Sequence, residues 1–379
     1  MPTPPVTDEA LIEVLEVYER NNNSRMATVR ETGKSDATIG RYLRVARERG
    51  LHLSKGAQEA MHATDLSGVE IAGGWRHAYD GEGKKVESVR WNAPKQDATE
   101  DVLERIREAF EGIEPAPLVS PPDTINADLC TVYPIADAHI GLMAWHRETG
   151  SDYDTAIACD RVRNWVAQCV AASPPSGTAI ILDIGDLFHA NDDTYQTPRS
   201  KHVLDVDTRM FRTLDIGIAT LAGAVESALT KHQTVHVRIL PGNHDSTIYL
   251  AVMFALSERY REDPRVIVHK EPSEFFLFEF GRVMIAAHHG DKARADRLVH
   301  FVADEFAEAW GRTKYRMLFT GHLHNHKSQD IGGMKWEQLR ALAERDTYAV
   351  SHAYSGRAQL QAITYDRSRG EVRRVSVNA

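Results

Sequence analysis

Five short polar strings punctuate the later two thirds of this 379-residue chain: Asp137-Ala138-His139, Gly185-Asp186, Gly242-Asn243-His244-Asp245, His288-His289-Gly290-Asp291 and Gly321-His322-Leu323-His324. Their carboxylates, imidazoles and one Asn carbonyl are ligands for hard or borderline divalent cations. Of 18 histidines, 15 lie at or beyond His139, so neutral nitrogen donors are concentrated where the strings are. Phosphate esters resist hydrolysis because their charge repels nucleophiles and water is a weak one. Two divalent cations roughly 3.5 to 4 Å apart meet both obstacles, neutralising ester oxygens and turning a bridging water into hydroxide that attacks phosphorus in line. Holding such a pair takes several imidazoles and a carboxylate able to bridge.

Each string stops an apolar run. Residues 129–135, 179–184, 235–239, 282–287 and 317–320 read as strands, and the polar groups sit where they end. Helical patterns over 160–172, 202–230, 247–260 and 292–310 intervene, which implies sheets flanked by helices with functional loops at the strand carboxyl ends. Residues 358–377 read as a closing hairpin around Asp366-Arg367-Ser368-Arg369-Gly370. His288 and His289 are adjacent, so strand alternation points them to opposite faces. His146, His202, His232, His236, His269 and His300 belong to no string and read as surface or core residues.

The first part of the chain is organised differently. Residues 8–19, 25–30 and 36–49 read as three helices with Thr32-Gly33-Lys34-Ser35 as a turn, a helix-turn-helix spacing over residues 1–60. Seven basic residues stand against three acidic ones between Arg25 and Gly50, and Lys34, Thr38, Arg41 and Arg44 are the candidates for DNA contact. Residues 61–111 carry a β-hairpin signal, Trp75, His77 and Tyr79 before Asp80-Gly81 and Val86, Val89 and Trp91 after it, then an acidic helix over 96–110. The hairpin reads as the wing of a winged module or a separate ribbon. A proline-rich spacer over 112–127 precedes a catalytic domain at 128–379.

Composition limits the alternatives. Hydrophobic residues make up 42% and charged residues 26%, and no stretch approaches the ~20 apolar residues a membrane span requires. Acidic residues follow the first prolines where a signal peptide would be basic and then apolar, so cytoplasmic residence is expected. The three cysteines, Cys130, Cys159 and Cys169, are widely spaced and read as core residues of a reducing compartment. With a net charge of -9, any engagement of a polyanion must be local.

The ordered series Asp-x-His, Gly-Asp, Gly-Asn-His-Asp, His-Gly and Gly-His-x-His resembles the calcineurin-like metallophosphoesterase superfamily, over about half of the chain. The resemblance implies a four-layered α/β/β/α sandwich and two divalent metal ions, manganese first, with iron, zinc, nickel or magnesium as alternatives. It implies Asp137, His139 and His324 on one metal, and Asn243, His289 and His322 on the other. Asp186 would bridge, and His244 would meet the scissile phosphate. The string Gly185-Asp186-Leu187-Phe188-His189 is similar to the SbcD-like double-strand-break repair nucleases, which makes His189 a second catalytic candidate. Phosphoprotein phosphatases carry an Asp where His189 stands.

Only 55 residues follow His324, little room for the cap and ATPase-docking helices of those nucleases, so no ATPase partner is implied. An N-terminal DNA-engaging module in their place looks like phage-encoded phosphoesterases, which would act in the host cytoplasm. Arg199 and Lys201 after the Asp186 loop, and Lys292, Arg294 and Arg297 after His289, are candidates for the DNA path. The expected function is a two-metal DNA phosphodiesterase, an exo- or endonuclease. The competing readings are a phosphatase or cyclic-nucleotide phosphodiesterase, and a DNA-binding regulator with a degenerate phosphoesterase domain.

Overall fold

Strands β3, Asn126–Ile135, and β4, Ser176–Asp183, end in runs in which every residue is buried, the pattern of strands covered on both faces. They sit at the middle of a six-stranded sheet in the order β13-β12-β3-β4-β5-β6, with β5 at Thr234–Ile239, β6 at Val266–Val268, β12 at Gln359–Asp366 and β13 at Gly370–Asn378. Strands β3 to β6 run parallel, and the closing hairpin adds β12 and β13 antiparallel. The second sheet, β10-β11-β9-β8-β7, comprises β7 (Phe276–Phe280), β8 (Val283–Ala287), β9 (Tyr315–Thr320), β10 (Lys327–Ile331) and β11 (Met334–Gln338). The computed structural model describes residues 7–21, 24–48, 51, 73–79, 85–92 and 113–379, within two units, Met1–Arg105 and Ile106–Ala379.

Strand alternation distributes the later unit's apolar side chains among three cores. Ile180 and Leu182 meet Ile285, Met317 and Phe319 between the sheets. Ile181 and Val237 turn the other way, onto helices Thr155–Ala172, Met210–Leu229 and Tyr249–Arg259. On the far side Met284 and Leu318 pack on Leu298, Val299 and Val302 of helix Ala295–Glu305. The layers therefore run helix, sheet, sheet, helix. Arg374 of β13 reaches the buried Glu337 of β11 at 2.9 Å and ties the two sheets together.

One sequence expectation is corrected. The helix expected over 202–230 begins at Met210. Upstream, Val203 bridges Gln196, Val206 bridges Leu142, and Asp207 accepts from the Thr155 N–H at 2.8 Å. These bonds hold 203–207 outside the helix. The proline-rich stretch is docked from residue 113: Ala116 is buried and its N–H donates to Arg259 O at 2.8 Å, while Arg265 Nη1 donates to Val119 O at 2.7 Å. The turn at 80–83 and the helix expected over 96–110 lie outside the described residues. Among the described residues no helix is long and apolar enough to cross a membrane. Cys130, Cys159 and Cys169 are buried and unpaired.

In the earlier unit, α1 (Asp8–Arg20), α2 (Arg25–Thr32) and α3 (Asp36–Glu48) enclose Leu11, Val14, Tyr18, Ile39, Leu43 and Ala46. Thr7 and Ser24 cap the first two helices, and Gly33, at φ 65°, closes α2 in the left-handed conformation that glycine adopts without strain. Arg41 and Arg44 are exposed on α3, Thr38 is half-buried and bonded to Ser35, and Lys34 sits in the turn ahead of the helix. Strands β1 (Gly73–Tyr79) and β2 (Lys85–Asn92) pair antiparallel.

One buried histidine sets a pH dependence away from the polar strings. His232 Nδ1 accepts from the Ser176 N–H at 3.2 Å and Nε2 faces Tyr133 Oη at 2.7 Å. Burial, and then Lys231, push its pKa down to about 4. The folded protein keeps this ring neutral while the unfolded chain protonates it near pH 6.5, so the contribution is complete above that pH and is lost as pH falls toward 4. It amounts to about 3 kcal/mol. Urea unfolding across that range should show a steeper acid loss in the wild type than in His232→Gln; parallel curves would show that the ring does not titrate with folding.

Candidate metal centre

The five polar strings leave the carboxyl ends of β3, β4, β5, β8 and β9 and converge on one cleft. Asp137, His139, Asp186, His322 and His324 all adopt positive φ, between 44° and 69°. Residues other than glycine enter that region at a cost, and such strain gathers at functional sites. Three further non-glycine residues, Tyr195, Lys201 and Ala353, share it among the described residues, so most of the strain falls on the candidate ligands.

Asp137, His139 and His324 form one donor cluster, and Asp186, His289 and His322 a second, the ligand atoms of each lying within 4.8 Å of one another. In the first, His139 Nε2 faces His324 Nε2 at 3.2 Å, and His324 Nε2 stands 3.5 Å from Asp137 Oδ1. In the second, His289 Nε2 lies 3.2 Å from Asp186 Oδ2 and 3.0 Å from Asn243 Oδ1. The clusters adjoin: the His139 N–H donates to Asp186 O at 2.9 Å. His289 Nδ1 donates to Ile184 O at 2.9 Å, which leaves Nε2 as its ligand atom. His288 points away, packed on Phe275 with Nδ1 accepting from the Gly290 N–H at 2.9 Å.

The charge balance is that of a cation site. Burial pushes the His289 imidazole down, but the Asp186 carboxylate overrides this and lifts it to about 10. Burial likewise works against a charged His324, and Asp137 outweighs it, raising the pKa. Burial would raise Asp186, yet His289 and His244 hold it well below the usual carboxylate range. His139 and His189 are driven well below 6.5, by burial first and His244 second. Buried carboxylates facing buried imidazoles fit divalent cations, which would satisfy both.

A third cluster joins His139 to His189 and His244. The His189 and His244 rings stack with centroids 5.2 Å apart, and the His244 ring meets His139 edge-on at 4.7 Å. The His244 N–H donates to Asp186 Oδ1 at 2.7 Å and its Nδ1 to His189 O at 2.8 Å, so Nε2 remains for a ligand in the cleft. The side chains of His322 and His324 lie in loops whose His322 N–H donates to Asp137 at 3.0 Å.

One structural member was present in the sequence string without a role. Asp245 is fully buried, and its carboxylate accepts from the N–H groups of Gly242 at 2.8 Å and of Asp186 and Phe188 at 3.2 Å. It fastens the β4 and β5 loops together. Burial, and then Asp186, raise its pKa to about 6.

Gly242 is required by the same junction, since a Cβ there would stand 2.0 Å from Asp186 Oδ1 and 2.3 Å from Asp186 N. Gly242→Ala should displace the Asp186 loop and weaken metal binding by about 10- to 100-fold. Metal content after dialysis measures this, with circular dichroism to verify the fold; unchanged content would show that the loop yields without cost.

No protein-family model matches the sequence, and no curated protein matches it. Solved structures with a similar chain path include a predicted phosphoesterase from Streptococcus pneumoniae, 11% identical over 66% of this chain and 98% of that one, TM-score 0.29. An archaeal phosphodiesterase is 10% identical over 65% and 99%, TM-score 0.35. Vps29 from Entamoeba histolytica, solved with zinc, is 13% identical over 65% and 98%, TM-score 0.26.

Of the other sequence candidates, Arg199 and Lys201 are exposed on the loop after β4 but do not line the cleft, whose wall there is Thr197, Ser200 and His202. Lys292, Arg294 and Arg297 line a neighbouring groove. His202, read from sequence as surface or core, forms cleft wall, and so do Arg340, Tyr348 and Tyr354, which no motif marked.

Proposed function

We propose that this protein is a two-metal phosphodiesterase that hydrolyses DNA. The observation that carries the reading is the pair of adjoining donor clusters, the second containing Asp186 and the first bonded to its carbonyl through the His139 N–H. Asp137, His139 and His324 would hold one ion, and Asn243, His289 and His322 the other, with Asp186 between them. The mixed imidazole, carboxylate and amide set suits manganese, with iron, zinc, nickel and magnesium as competitors. Two divalent ions there would neutralise phosphoester oxygens and acidify a water molecule.

The chain's own residues do the rest. His244 is fixed by bonds to Asp186 and to His189 O, and its free Nε2 would hold a phosphoryl oxygen or deliver a proton to the leaving oxygen. For His139 to offer Nε2, its Nδ1 carries the proton and donates to His189 Nδ1, 3.3 Å away. His189 thus orients one ligand with its ring and His244 with its carbonyl.

An extended polyanion is favoured over a small ester by the surroundings. The cleft, of 910 Å³, shares His322 and Leu323 with a second groove of 710 Å³, so a chain could pass across the centre. Arg294, Arg297 and Lys327 outnumber Asp291 and Asp296 along that groove, are exposed, and make no ion pair among the described residues. In a protein of net charge -9, such a cluster is the local counter-charge that phosphates require. Arg41 and Arg44 on α3 would add sequence-independent contacts.

Purified protein with Mn2+ should degrade single- or double-stranded DNA, and chelation should stop it. Turnover of an aryl phosphodiester with DNA left intact would overturn the DNA assignment and favour a small-substrate phosphodiesterase. Bound DNA without turnover of either would favour a DNA-binding regulator.

A further inference from the structure

The cleft has a wall that the chemistry above does not use. It is formed by residues 340–357, with a single-turn helix at Thr347–Ser351. Tyr348 and Tyr354 are 50% and 56% exposed, and both line the same cleft as His244 and His324. Four rings stand in series: His202 lies 5.7 Å from Tyr348, Tyr348 4.1 Å from His352, and His352 5.9 Å from Tyr354.

The row is anchored. His352 Nδ1 donates to Tyr348 O at 2.9 Å, the Ala349 N–H donates to Asp346 at 2.7 Å, and Thr347 Oγ1 donates to Asp205 at 3.1 Å, on the loop that carries His202. Cations frame it. Arg340 and Arg357 line the cleft and make no ion pair among the described residues, and Arg345 bonds Thr149 O at 3.2 Å. Of the nearby acids, Glu344 is paired with Arg161 at 2.8 Å and Asp346 is occupied as the helix cap.

Aromatic rings about half open to water, with unpaired guanidinium groups lining the same cleft, match a ligand that is flat, apolar on its faces and attached to phosphate. That is a nucleobase in a polynucleotide. We infer that this wall is a base-stacking platform: bases beside the scissile phosphodiester stack on Tyr348 and Tyr354 while Arg340 and Arg357 hold flanking phosphates. The inference rests on the phosphodiesterase reading and narrows its substrate to single-stranded or frayed ends. Bases within an intact duplex have both faces covered and cannot reach the tyrosines.

The test is equilibrium binding of the full chain, without divalent metal, to fluorescent oligothymidylate and to an abasic oligonucleotide of equal length. Wild type should prefer the base-bearing strand by about 5- to 150-fold, the range of one base–aromatic stack. Tyr348→Ala with Tyr354→Ala should abolish that preference and leave abasic affinity unchanged, and Tyr348→Phe with Tyr354→Phe should restore it. Equal wild-type affinity for the two strands, or an equal loss on both in the alanine variant, overturns the platform. Because no turnover is read, a base preference in a protein that cleaves no DNA would sink the catalytic reading and leave the platform standing. DNA cleavage without a base preference would do the reverse.

Discussion

Replacing Asp186 by Ala is expected to reduce DNA hydrolysis by more than about 10³-fold, beyond the usual loss for one stabilising group in a reaction centre. Asp186 adjoins both donor clusters: its Oδ2 faces His289 Nε2 at 3.2 Å, its backbone carbonyl holds the His139 N–H at 2.9 Å, and its charge acts on the His139 ring. Removal also takes away the charge that lifts His289 to about 10, so the buried imidazole becomes neutral instead of remaining an unpaired cation. The apo fold should therefore survive. Asp186→Asn provides the control, because it keeps the volume and an acceptor for the His244 N–H, bonded at 2.7 Å, but not the charge. Both variants should bind fewer than two metal ions per chain by elemental analysis. More than a tenth of wild-type activity in either would show that Asp186 does not bridge.

Much of this centre was legible because strand-forming runs and ligand types coincide. Val235, Val237 and Ile239 lead directly into Asn243 and His244, and the same succession recurs at Asp137, Asp186, His289 and His322. What escaped lacked that coupling. Lys327–Ile331 is a strand, β10, yet its first four residues are exposed and polar, so no alternation marks it. Its order comes from pairing with β11. The start of helix Met210–Leu229 is not legible locally because Asp207 and Val206 are held by residues more than fifty positions upstream. Tyr348 and Tyr354 belong to no motif, and only folding brings them to the cleft. His288 and His289 were separable by alternation alone, and the choice between them follows from which ring reaches Asn243.

His244→Ala should lower kcat by about 10²- to 10⁴-fold and leave two metal ions bound. The reason is its place in the site: His244 is absent from both donor clusters that contain Asp137 and Asp186, and joins only the third, with His139 and His189. Its ring touches His139 edge-on and stacks on His189, so it borders the centre without completing it. His189→Ala is expected to cost less, about 10- to 100-fold, because it frees the Nδ1 of His139 but retains the backbone carbonyl that orients His244. Single-turnover rates and metal content measured together separate the roles. A His244→Ala protein that loses a metal would make His244 a ligand. A His189→Ala loss as large as that of His244→Ala, with metal retained, would place His189 on the phosphate itself, and the stacked pair would then act as one group.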